Sequence, residues 1–315
     1  MAGEPTRRRA LQIFAAAGAC VLTPGASAAG YEWRGAALGA DVSLVFSNSS
    51  EARAKAVVAS ILDEIERLET IFSLQRGDSE ICRLNASGAL RAPSADLLHV
   101  LSAARDAHGV TSGRFDPTIQ PLWRFHIDWY QRNRGRRRPT ESEIAAARAS
   151  VGFERLRISG DEIALPVGGA MTLNGIAQGY VTDRACELIR HAGFAHVLVD
   201  LGESRALDAR ADGGAWRIRL PDGRAIAMAG GAIATSSGAA TSFADNGDHH
   251  IFDPVTGRSA GFWRWLSVAH SSATMADSLS TGLSCLPPAE AARAADAIAG
   301  VHLWGETIDG RTVES

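Results

Sequence analysis

The sequence predicts an α+β fold in which helices pack on mixed or antiparallel sheets. Helical periodicity is strong early in the chain, where apolar side chains at 57, 58, 61, 65, 68 and 72 indicate an amphipathic helix over residues 51–72. Strand-like segments are grouped later, and they do not alternate regularly with helices. That grouping favours α+β over a wound parallel sheet.

The remaining elements follow from apolar periodicity for helices and from short alternating runs for strands. Further helices are predicted at 94–108, 141–150, 177–192, 272–285 and 288–299. Strands are predicted at 40–47, 156–159, 162–165, 196–201, 215–220, 225–228, 249–252 and 264–269. The chain shows no internal repeat and no linker that divides it into domains.

The first 28 residues have the pattern of an export signal. Thr6-Arg7-Arg8-Arg9-Ala10-Leu11-Gln12 resembles a twin-arginine motif, an apolar run covers 13–22, and Ala26-Ser27-Ala28 fits a cleavage site. The run is too short to span a membrane. We therefore expect a signal peptide at 1–28, one domain at 29–315, a mature chain that does not span the membrane, and a periplasmic location. Cys20 leaves a lipid anchor open as the alternative.

Composition excludes several classes of function. The formal charge is -3, from 32 basic and 35 acidic residues. Loss of residues 1–28 would remove three arginines and one glutamate, so the charge would be (32-3)-(35-1), or -5. A negative net charge disfavours nucleic acid as a partner. Cys82, Cys186 and Cys285 form no C-x-x-C pair, so we expect buried free thiols and no zinc site. Lys55 is the only lysine and is expected on the exposed side of its helix, which disfavours Schiff-base chemistry.

The predicted helix at 272–285 carries a carboxylate and a hydroxyl four residues apart, at Asp277 and Thr281. On a helix these side chains share one face, with Cβ atoms about 5 to 6 Å apart. Two oxygen ligands at that spacing suit Mg²⁺, which completes its octahedron with water and phosphate oxygens. The alternative is a solvated Asp277 and a Thr281 bonded back to its own helix.

Two upstream segments make a phosphate ligand more plausible. The predicted strand at 249–252 starts with His249 and His250, whose side chains would point to opposite faces, so only one can face a site. Glycines at 175 and 179 lie at the start of the predicted helix 177–192. A helix N-terminus opened by glycine offers backbone N–H groups to a phosphate.

Taken in order, these segments resemble the ApbE family of FAD:protein FMN transferases. The resemblance covers nearly the whole chain after about residue 35 and rests on collinear blocks at 37–41, 72–75 with 78–85, 113–123, 173–180, 199–202, 234–238, 249–257 and 273–283. The residues in these blocks are similar to those of the NosX-like branch of the family. The resemblance implies an ApbE-like fold and an Mg²⁺-dependent enzyme with FAD as substrate. Such an enzyme attaches FMN through a phosphoester to a threonine of another protein and releases AMP.

The resemblance also implies roles for individual residues. The metal would be held by Asp277, Thr281 and the carbonyl of Gly175, and His250 would be the general base, with an ordinary pKa near 6.5 that suits neutral pH. The FAD would be lined by Leu38, Phe115, Asp116, Thr172, Gln178 and Ile251. The acceptor would be a periplasmic or membrane flavoprotein with an exposed Ser/Thr-Gly-Ala-Ser/Thr-like segment.

The chain departs from the family pattern around the expected ligand. Thr172 replaces an aspartate, Gln75 replaces an aromatic residue that could stack on FAD, and Gln178 replaces a lysine or glutamate. Gly202-Glu203-Ser204 stands where Gly-Gly-Asp is usual. These changes keep open a carrier or maturation factor that binds FAD without turnover. An FAD pyrophosphatase, with water as acceptor, also stays open.

Two other features have competing interpretations. Gly202-Glu203-Ser204-Arg205-Ala206 nearly fits the G-x-S-x-G elbow of serine hydrolases, but the residues after it are a poor start for the helix that an elbow requires. An arginine-rich segment at 132–138 is expected to be a solvated loop. Its alternatives are a docking loop for an acidic partner or an arm near the FAD phosphates.

Overall fold

The computed structural model describes residues 30–37, 40–244 and 247–315. The expected signal peptide, the lipid-anchor alternative at Cys20 and the candidate residue Leu38 lie outside the described residues. No helix in the described ranges is long and apolar enough to cross a membrane.

The helices cluster in the first two thirds of the chain and again near its C-terminus. They are α1 Glu51–Phe72, α2 Glu80–Ser87, α3 Ala95–Val110, α4 Gln120–Asn133, α5 Glu141–Arg148, α6 Ala177–His191, α7 Ala273–Leu283 and α8 Pro288–Asp296. A short 3-10 turn at Pro117–Ile119 leads into α4.

The strands form one large sheet and two small ones. They are β1 Tyr31–Ala37, β2 Ala40–Phe46, β3 Ala89–Arg91, β4 Arg157–Ile158, β5 Glu162–Ala164, β6 Val197–Asp200, β7 Ser204–Leu207, β8 Trp216–Arg219, β9 Ala225–Met228, β10 Gly231–Ser236, β11 Trp263–His270, β12 His302–Thr307 and β13 Thr312–Glu314. The large sheet has eight antiparallel strands in the order β1-β2-β6-β7-β10-β11-β12-β13. The expected α+β class with antiparallel sheets is confirmed.

Helix α7 is central to the fold and is buried on nearly every side. It packs against α3, α6, β10 and β11. Gly179 of α6 permits a close crossing, because a Cβ there would lie 2.2 Å from the carbonyl oxygen of Ala273. Any larger residue would force the two helices apart. The carboxylate and hydroxyl of α7 are therefore held in a closely packed part of the molecule.

The hydrophobic core fills both sides of α7. One cluster joins α1, α3 and α6 to the β2 and β6 strands, with Leu44, Ile61, Leu101 and Val199 fully buried. A second cluster joins α7 and α8 to β11 and β12. Burial of such side chains is the main favourable contribution to folding.

All six predicted helices are present with small shifts at their ends, and α1 has the predicted bounds. The predicted strand at 249–252 is wrong, because only isolated bridges form there, between Ser242 and His249 and between Phe252 and Ser259. Side-chain hydrogen bonds hold that segment instead. Ser259 Oγ accepts from the backbone N–H of His249 and donates to the carbonyl oxygen of His249. Cys186 and Cys285 are buried free thiols as expected, whereas Cys82 is only half-buried.

Candidate active site

One cavity of about 150 Å³ brings together every described residue that the sequence marked as part of the site. Its lining includes Phe115, Asp116, Thr172, Gly175, Gln178, His250, Ile251, Asp277 and Thr281. These residues come from the turn before α4, the start of α6, the loop before residue 253 and helix α7. Residues that are far apart in sequence therefore share one concave surface, as expected of a ligand site.

The expected metal ligands lie at one corner of this cavity. Thr281 is one turn after Asp277 on α7, and Gly175 lies directly against it: a Cβ at Gly175 would be 2.8 Å from Thr281 Oγ1. The Asp277 side chain is buried, and its Oδ2 accepts a 3.1 Å hydrogen bond from the backbone N–H of Gly179. Burial raises the pKa of Asp277 to about 7, against the opposing effect of that hydrogen bond.

A second buried carboxylate, Glu203, lines the same cavity. Burial raises the pKa of Glu203 well above its ordinary value, and the negative charges of Asp277 and Asp200 raise it further. Arg114, the only Arg or Lys among the described residues that line the cavity, is already paired with Asp253 at 2.5 Å. Within the described ranges no group of three or more His, Cys, Asp or Glu forms a metal site. The carboxylate of Asp277 and the hydroxyl of Thr281 are nevertheless oxygen ligands of the kind that Mg²⁺ prefers, and they line the same cavity.

The two histidines diverge as the sequence suggested, although no strand forms. His249 turns away from the cavity, with Nε2 2.7 Å from the carbonyl oxygen of Ala260. His250 faces the cavity, and its buried Nδ1 has no hydrogen-bond partner among the described residues. Burial, followed by the effect of His249, lowers the pKa of His250 to about 4, not the ordinary value near 6.5. The imidazole is therefore neutral at pH 7, and it is a weaker base than an ordinary histidine.

Aromatic and aliphatic side chains form an apolar wall of the main cavity. Phe115, Ile251 and Phe252 are buried there, and the half-buried Trp123 joins them. The carboxylate of Asp116 is engaged inside the protein: Oδ1 accepts from the Thr118 N–H at 2.7 Å and hydroxyl at 2.6 Å, and Oδ2 accepts from the Phe153 N–H at 3.1 Å. Asp116 thus holds the turn that presents this wall.

Gln178 and Thr172 also line the main cavity, and the Gln178 amide lies against Gly202, where a Cβ would be 2.7 Å from Nε2. Gln178 Nε2 is buried without a hydrogen-bond partner among the described residues. Thr172 accepts a 3.3 Å hydrogen bond at Oγ1 from the backbone N–H of Asn174. A buried amide that lacks a partner is suited to donate to a polar ligand.

A second cavity of about 110 Å³ lies next to the first and shares Asn174 and Gln178 with it. Its other lining is mostly apolar, with Leu68, Phe72, Leu74 and Val181. Gln75, where an aromatic residue was expected from the family pattern, also lines this second cavity. The departure at Gln75 therefore affects the second cavity and not the metal corner, by which we mean the part of the main cavity lined by Gly175, Asp277 and Thr281.

The structure is incompatible with the serine-hydrolase hypothesis. Ser204 is the first residue of strand β7, so no helix follows it. A nucleophile elbow requires a strand-to-helix turn that exposes the serine at the top of the sheet, whereas Ser204 is buried.

The arginine-rich segment is mostly surface, as expected. Arg137 stacks on Trp129 with 4.2 Å between the guanidinium carbon and the ring centroid, and it pairs with Glu143 at 2.8 Å. Arg138 pairs with Asp248 at 3.1 Å. None of these residues lines the main cavity.

Known proteins are similar to this chain over most of its length. The model of the ApbE family matches residues 38–303. A FAD:protein FMN transferase of Vibrio cholerae is 32% identical over 238 residues, which cover 70% of this chain and 70% of that protein. The chain belongs to the ApbE family. A Klebsiella pneumoniae FAD:protein FMN transferase is 26% identical over 87% of this chain and 86% of its own length.

Solved ApbE structures have the same fold. The flavin transferase ApbE of Vibrio cholerae has a TM-score of 0.76 at 26% identity, covering 91% of this chain and 97% of its own. The ApbE protein of Thermotoga maritima has a TM-score of 0.80 at 25% identity, covering 91% and 97%. The chain thus has the fold of these ApbE structures, and Gln75, Thr172 and Gln178 all line its two cavities.

Sequence reasoning missed several residues of the site. Glu203, Arg114, Trp123 and Asn174 line the main cavity without having been assigned a role. All four fall inside or next to blocks that resemble the family, so their position in those blocks was the available signal. Their convergence depends on tertiary packing that no local pattern encodes.

Proposed function

We propose that this chain is an Mg²⁺-dependent FAD:protein FMN transferase. FAD is the dinucleotide substrate, and the acceptor is a threonine hydroxyl of another flavoprotein. The new bond joins that threonine oxygen to the FMN phosphorus, the pyrophosphate P–O bond breaks, and AMP leaves with its phosphate. The single observation that carries the proposal is the convergence of Asp277, Thr281, Gly175 and His250 on one cavity in a chain of this family.

The chain's own residues would hold the metal ion and accept the proton of the incoming hydroxyl. Asp277, Thr281 and the Gly175 carbonyl would hold Mg²⁺. When bound, the ion would neutralise negative charge on the pyrophosphate oxygens, which is the main requirement of phosphoryl transfer. His250 is neutral at pH 7 and faces the cavity, so it can take the proton of the incoming hydroxyl.

The apolar wall binds and shields the substrate. Phe115, Ile251, Trp123 and Phe252 offer a surface for a flat ring and keep water from the reacting atoms. Gln178 lines the same cavity, and its Nε2, which has no partner among the described residues, can donate to a phosphate or ring oxygen. Exclusion of water favours a protein hydroxyl over hydrolysis as the acceptor.

The proposed setting is the periplasm, reached through the twin-arginine signal at 1–28. Its acceptor would be a periplasmic or membrane flavoprotein that exposes a Ser/Thr-Gly-Ala-Ser/Thr-like segment. Export of a folded chain suits an enzyme that can be assembled before it crosses the membrane. Fractionation of cells that express the chain with Arg7 and Arg8 changed to lysine tests this setting, and loss of the periplasmic form is expected.

The test of the activity combines purified chain, FAD, Mg²⁺ and an acceptor domain with such a segment. We expect a flavin-fluorescent acceptor on a denaturing gel together with free AMP, and neither product from Asp277→Ala, which removes the charged metal ligand. Accumulation of FMN without labelled acceptor would instead identify an FAD pyrophosphatase. Bound FAD that stays intact would identify a carrier.

A further inference from the structure

The segment at the end of α4 carries positive charge that the described part of the chain does not balance. Arg132, Arg134 and Arg136 are exposed, and no carboxylate of residues 30–37, 40–244 and 247–315 forms an ion pair with any of them. The chain as a whole has a formal charge of -3, so the local sign is opposite to the overall one. A local excess of one charge attracts a partner of the opposite charge.

The segment is held in place at its far end. Arg137 stacks on Trp129, with 4.2 Å between the guanidinium carbon and the ring centroid, and pairs with Glu143 at 2.8 Å. Arg138 pairs with Asp248 at 3.1 Å. The three exposed arginines are therefore presented from an anchored segment, which lowers the entropy cost of binding a partner.

The backbone at the end of α4 does not explain an arginine there. Arg134 is the C-cap residue of α4, with φ 50° and ψ 37°, and Gly135 follows with φ 69°. The left-handed conformation at a helix end favours glycine, because a Cβ is disfavoured in it. Arg134 thus occupies a position that its own conformational preference opposes, so its side chain is the feature to explain.

Helix α4 connects this segment to the main cavity. Ile119 and Trp123, at the start of the helix, line the cavity. The helix has 14 residues and is therefore about 20 Å long. At its other end Arg138 pairs with Asp248, two residues before the cavity-lining His250. A protein that covers about 800 Å² around the cavity would reach these arginines.

The surface near these arginines has two other features of a protein interface. Phe125 and Trp129 are half-buried on α4 and stack with 5.8 Å between ring centroids. Aromatic residues and arginine are the residue types enriched in interfaces. A separate cavity of about 160 Å³ is lined by Arg138, Arg258 and Asp248, so positive charge predominates there too.

We propose that Arg132, Arg134 and Arg136, named here the arginine surface, dock an acidic patch of the acceptor flavoprotein close to the threonine that receives FMN. This inference rests on the proposed function and adds the chemistry of the partner surface. An arm that contacts the FAD phosphates fits less well, because none of residues 132–138 lines the main cavity. Opposite charges on the two proteins would speed their encounter and orient the acceptor.

The test is fluorescence anisotropy of the purified chain with two labelled peptides. Both carry a Ser-Gly-Ala-Thr segment joined by a flexible linker to a charged or neutral tail, a run of glutamates in one and of glutamines in the other. The wild-type chain should bind the glutamate peptide more tightly. Combined Arg132→Glu, Arg134→Glu and Arg136→Glu should weaken binding of the glutamate peptide by at least about tenfold and leave the glutamine peptide unaffected.

The matched control separates the position of the charges from their number. It reverses three exposed arginines on α2, α3 and α8 that also form no ion pair within the described ranges: Arg83→Glu, Arg105→Glu and Arg293→Glu. This variant has the same net charge as the first and should bind the glutamate peptide nearly as the wild type does. Circular dichroism should show the same fold in all three chains, because every changed side chain is exposed.

Salt and transfer kinetics provide two further readouts. Raising the salt from about 0.1 M to about 1 M shortens the screening length from about 10 Å to about 3 Å, and should remove the preference of the wild type for the glutamate peptide. In FMN transfer to the glutamate peptide, reversal of the arginine surface should raise KM and leave kcat unchanged, since the reacting groups are untouched.

Three results would overturn the inference: equal affinity of the wild type for both peptides, equal loss of affinity in the two reversed variants, or binding to phosphatidylserine vesicles that needs the arginine surface while peptide binding does not. The last would identify a membrane surface as the partner. If peptide binding depends on the arginine surface but the wild type transfers no FMN to any acceptor, the transferase proposal fails and the acidic docking surface stands.

Discussion

Gly175 and Thr281 are in contact across the junction of α6 and α7, so closely that no side chain fits between them. A Cβ on Gly175 would be 2.8 Å from Oγ1 and 3.0 Å from Cγ2 of Thr281. Both residues are expected metal ligands, one by its carbonyl and one by its hydroxyl. The absence of a side chain at 175 is therefore a condition for the geometry of the metal corner.

Gly175→Ala should displace Thr281 or the backbone at 175. We expect FMN transfer to be lost at ordinary Mg²⁺ concentrations and the free energy of unfolding to fall by about 1 to 3 kcal/mol, as for overpacking in a core. Urea denaturation and the transfer assay measure the two effects. Gly109→Ala in α3 is the control, since a Cβ there meets nothing within 4 Å and alanine favours helix. Full activity in Gly175→Ala would show that this contact does not matter.

Asp183 of α6 is expected to fix the start of α7. Its carboxylate accepts from the backbone N–H groups of Ala273 and Thr274 at 2.9 and 3.0 Å, and it pairs with the largely buried Arg205. Asp183→Asn leaves Arg205 without its counter-charge and should lower the free energy of unfolding by about 3 kcal/mol.

Chemical denaturation of Asp183→Asn checks this expectation. Glu51→Gln, which removes the exposed pair with Lys55, is the control and should leave the denaturation midpoint unchanged. Transfer activity should fall as well, because α7 carries Asp277 and Thr281. A variant as stable as the wild type would mean that the pair does not hold α7.

The buried His250 predicts a specific dependence of stability on pH. Its pKa is about 4 in the folded chain, against about 6.5 for an unfolded histidine, so between those values the unfolded chain binds more protons. This contribution to stability is present above about pH 6.5 and is lost as the pH falls toward about 4.

His250→Gln should therefore lose less stability than the wild type between about pH 7 and about pH 4.5, as measured by urea midpoints. The exposed His302→Gln is the matched control and should follow the wild-type curve. Parallel curves for His250→Gln and wild type would contradict the burial of this imidazole.

Gln75 lines the second cavity together with Phe72. The family resemblance implies an aromatic residue at position 75 that could stack on a ring of FAD. Gln75→Tyr should tighten FAD binding, because an aromatic contact contributes about 0.5 to 1.5 kcal/mol, or roughly a twofold to thirteenfold change in Kd. Fluorescence titration with FAD measures it. Gln131→Tyr, at an exposed position on α4, should have no effect. Unchanged affinity in Gln75→Tyr would mean that neither FAD ring occupies this cavity.

Local patterns in the sequence predict much of this fold. The periodic apolar residues of α1, from Val57 to Phe72, define that helix with its observed bounds. Helix α4 was missed because its buried residues Leu122, His126 and Tyr130 include few aliphatic side chains, although Pro121 in its first turn is a helix-start signal. Strand β10 was missed because alanine and glycine dominate it, and only burial between β7 and β11 explains it.

The residues of the candidate site that lie in family-like blocks could be predicted from the sequence. The residues that only tertiary packing brings to the cavity could not. Asp277 and Thr281 were visible as a helical pair. Glu203 stood out only as a departure next to a family block, and one acid in a turn gives no sign that its side chain will line a cavity together with α7. The expected strand at 249–252 does not form, yet His249 and His250 still point to opposite sides, because the carbonyl oxygen of Ala260 holds the His249 ring.

The most direct test of the central claim is the intact mass of an acceptor domain after incubation with this chain, FAD and Mg²⁺. A transferase adds one FMN less one water, the addition maps to a single threonine, and Asp277→Ala adds nothing. An acceptor that keeps its original mass while the wild-type chain converts FAD to FMN and AMP would contradict the claim.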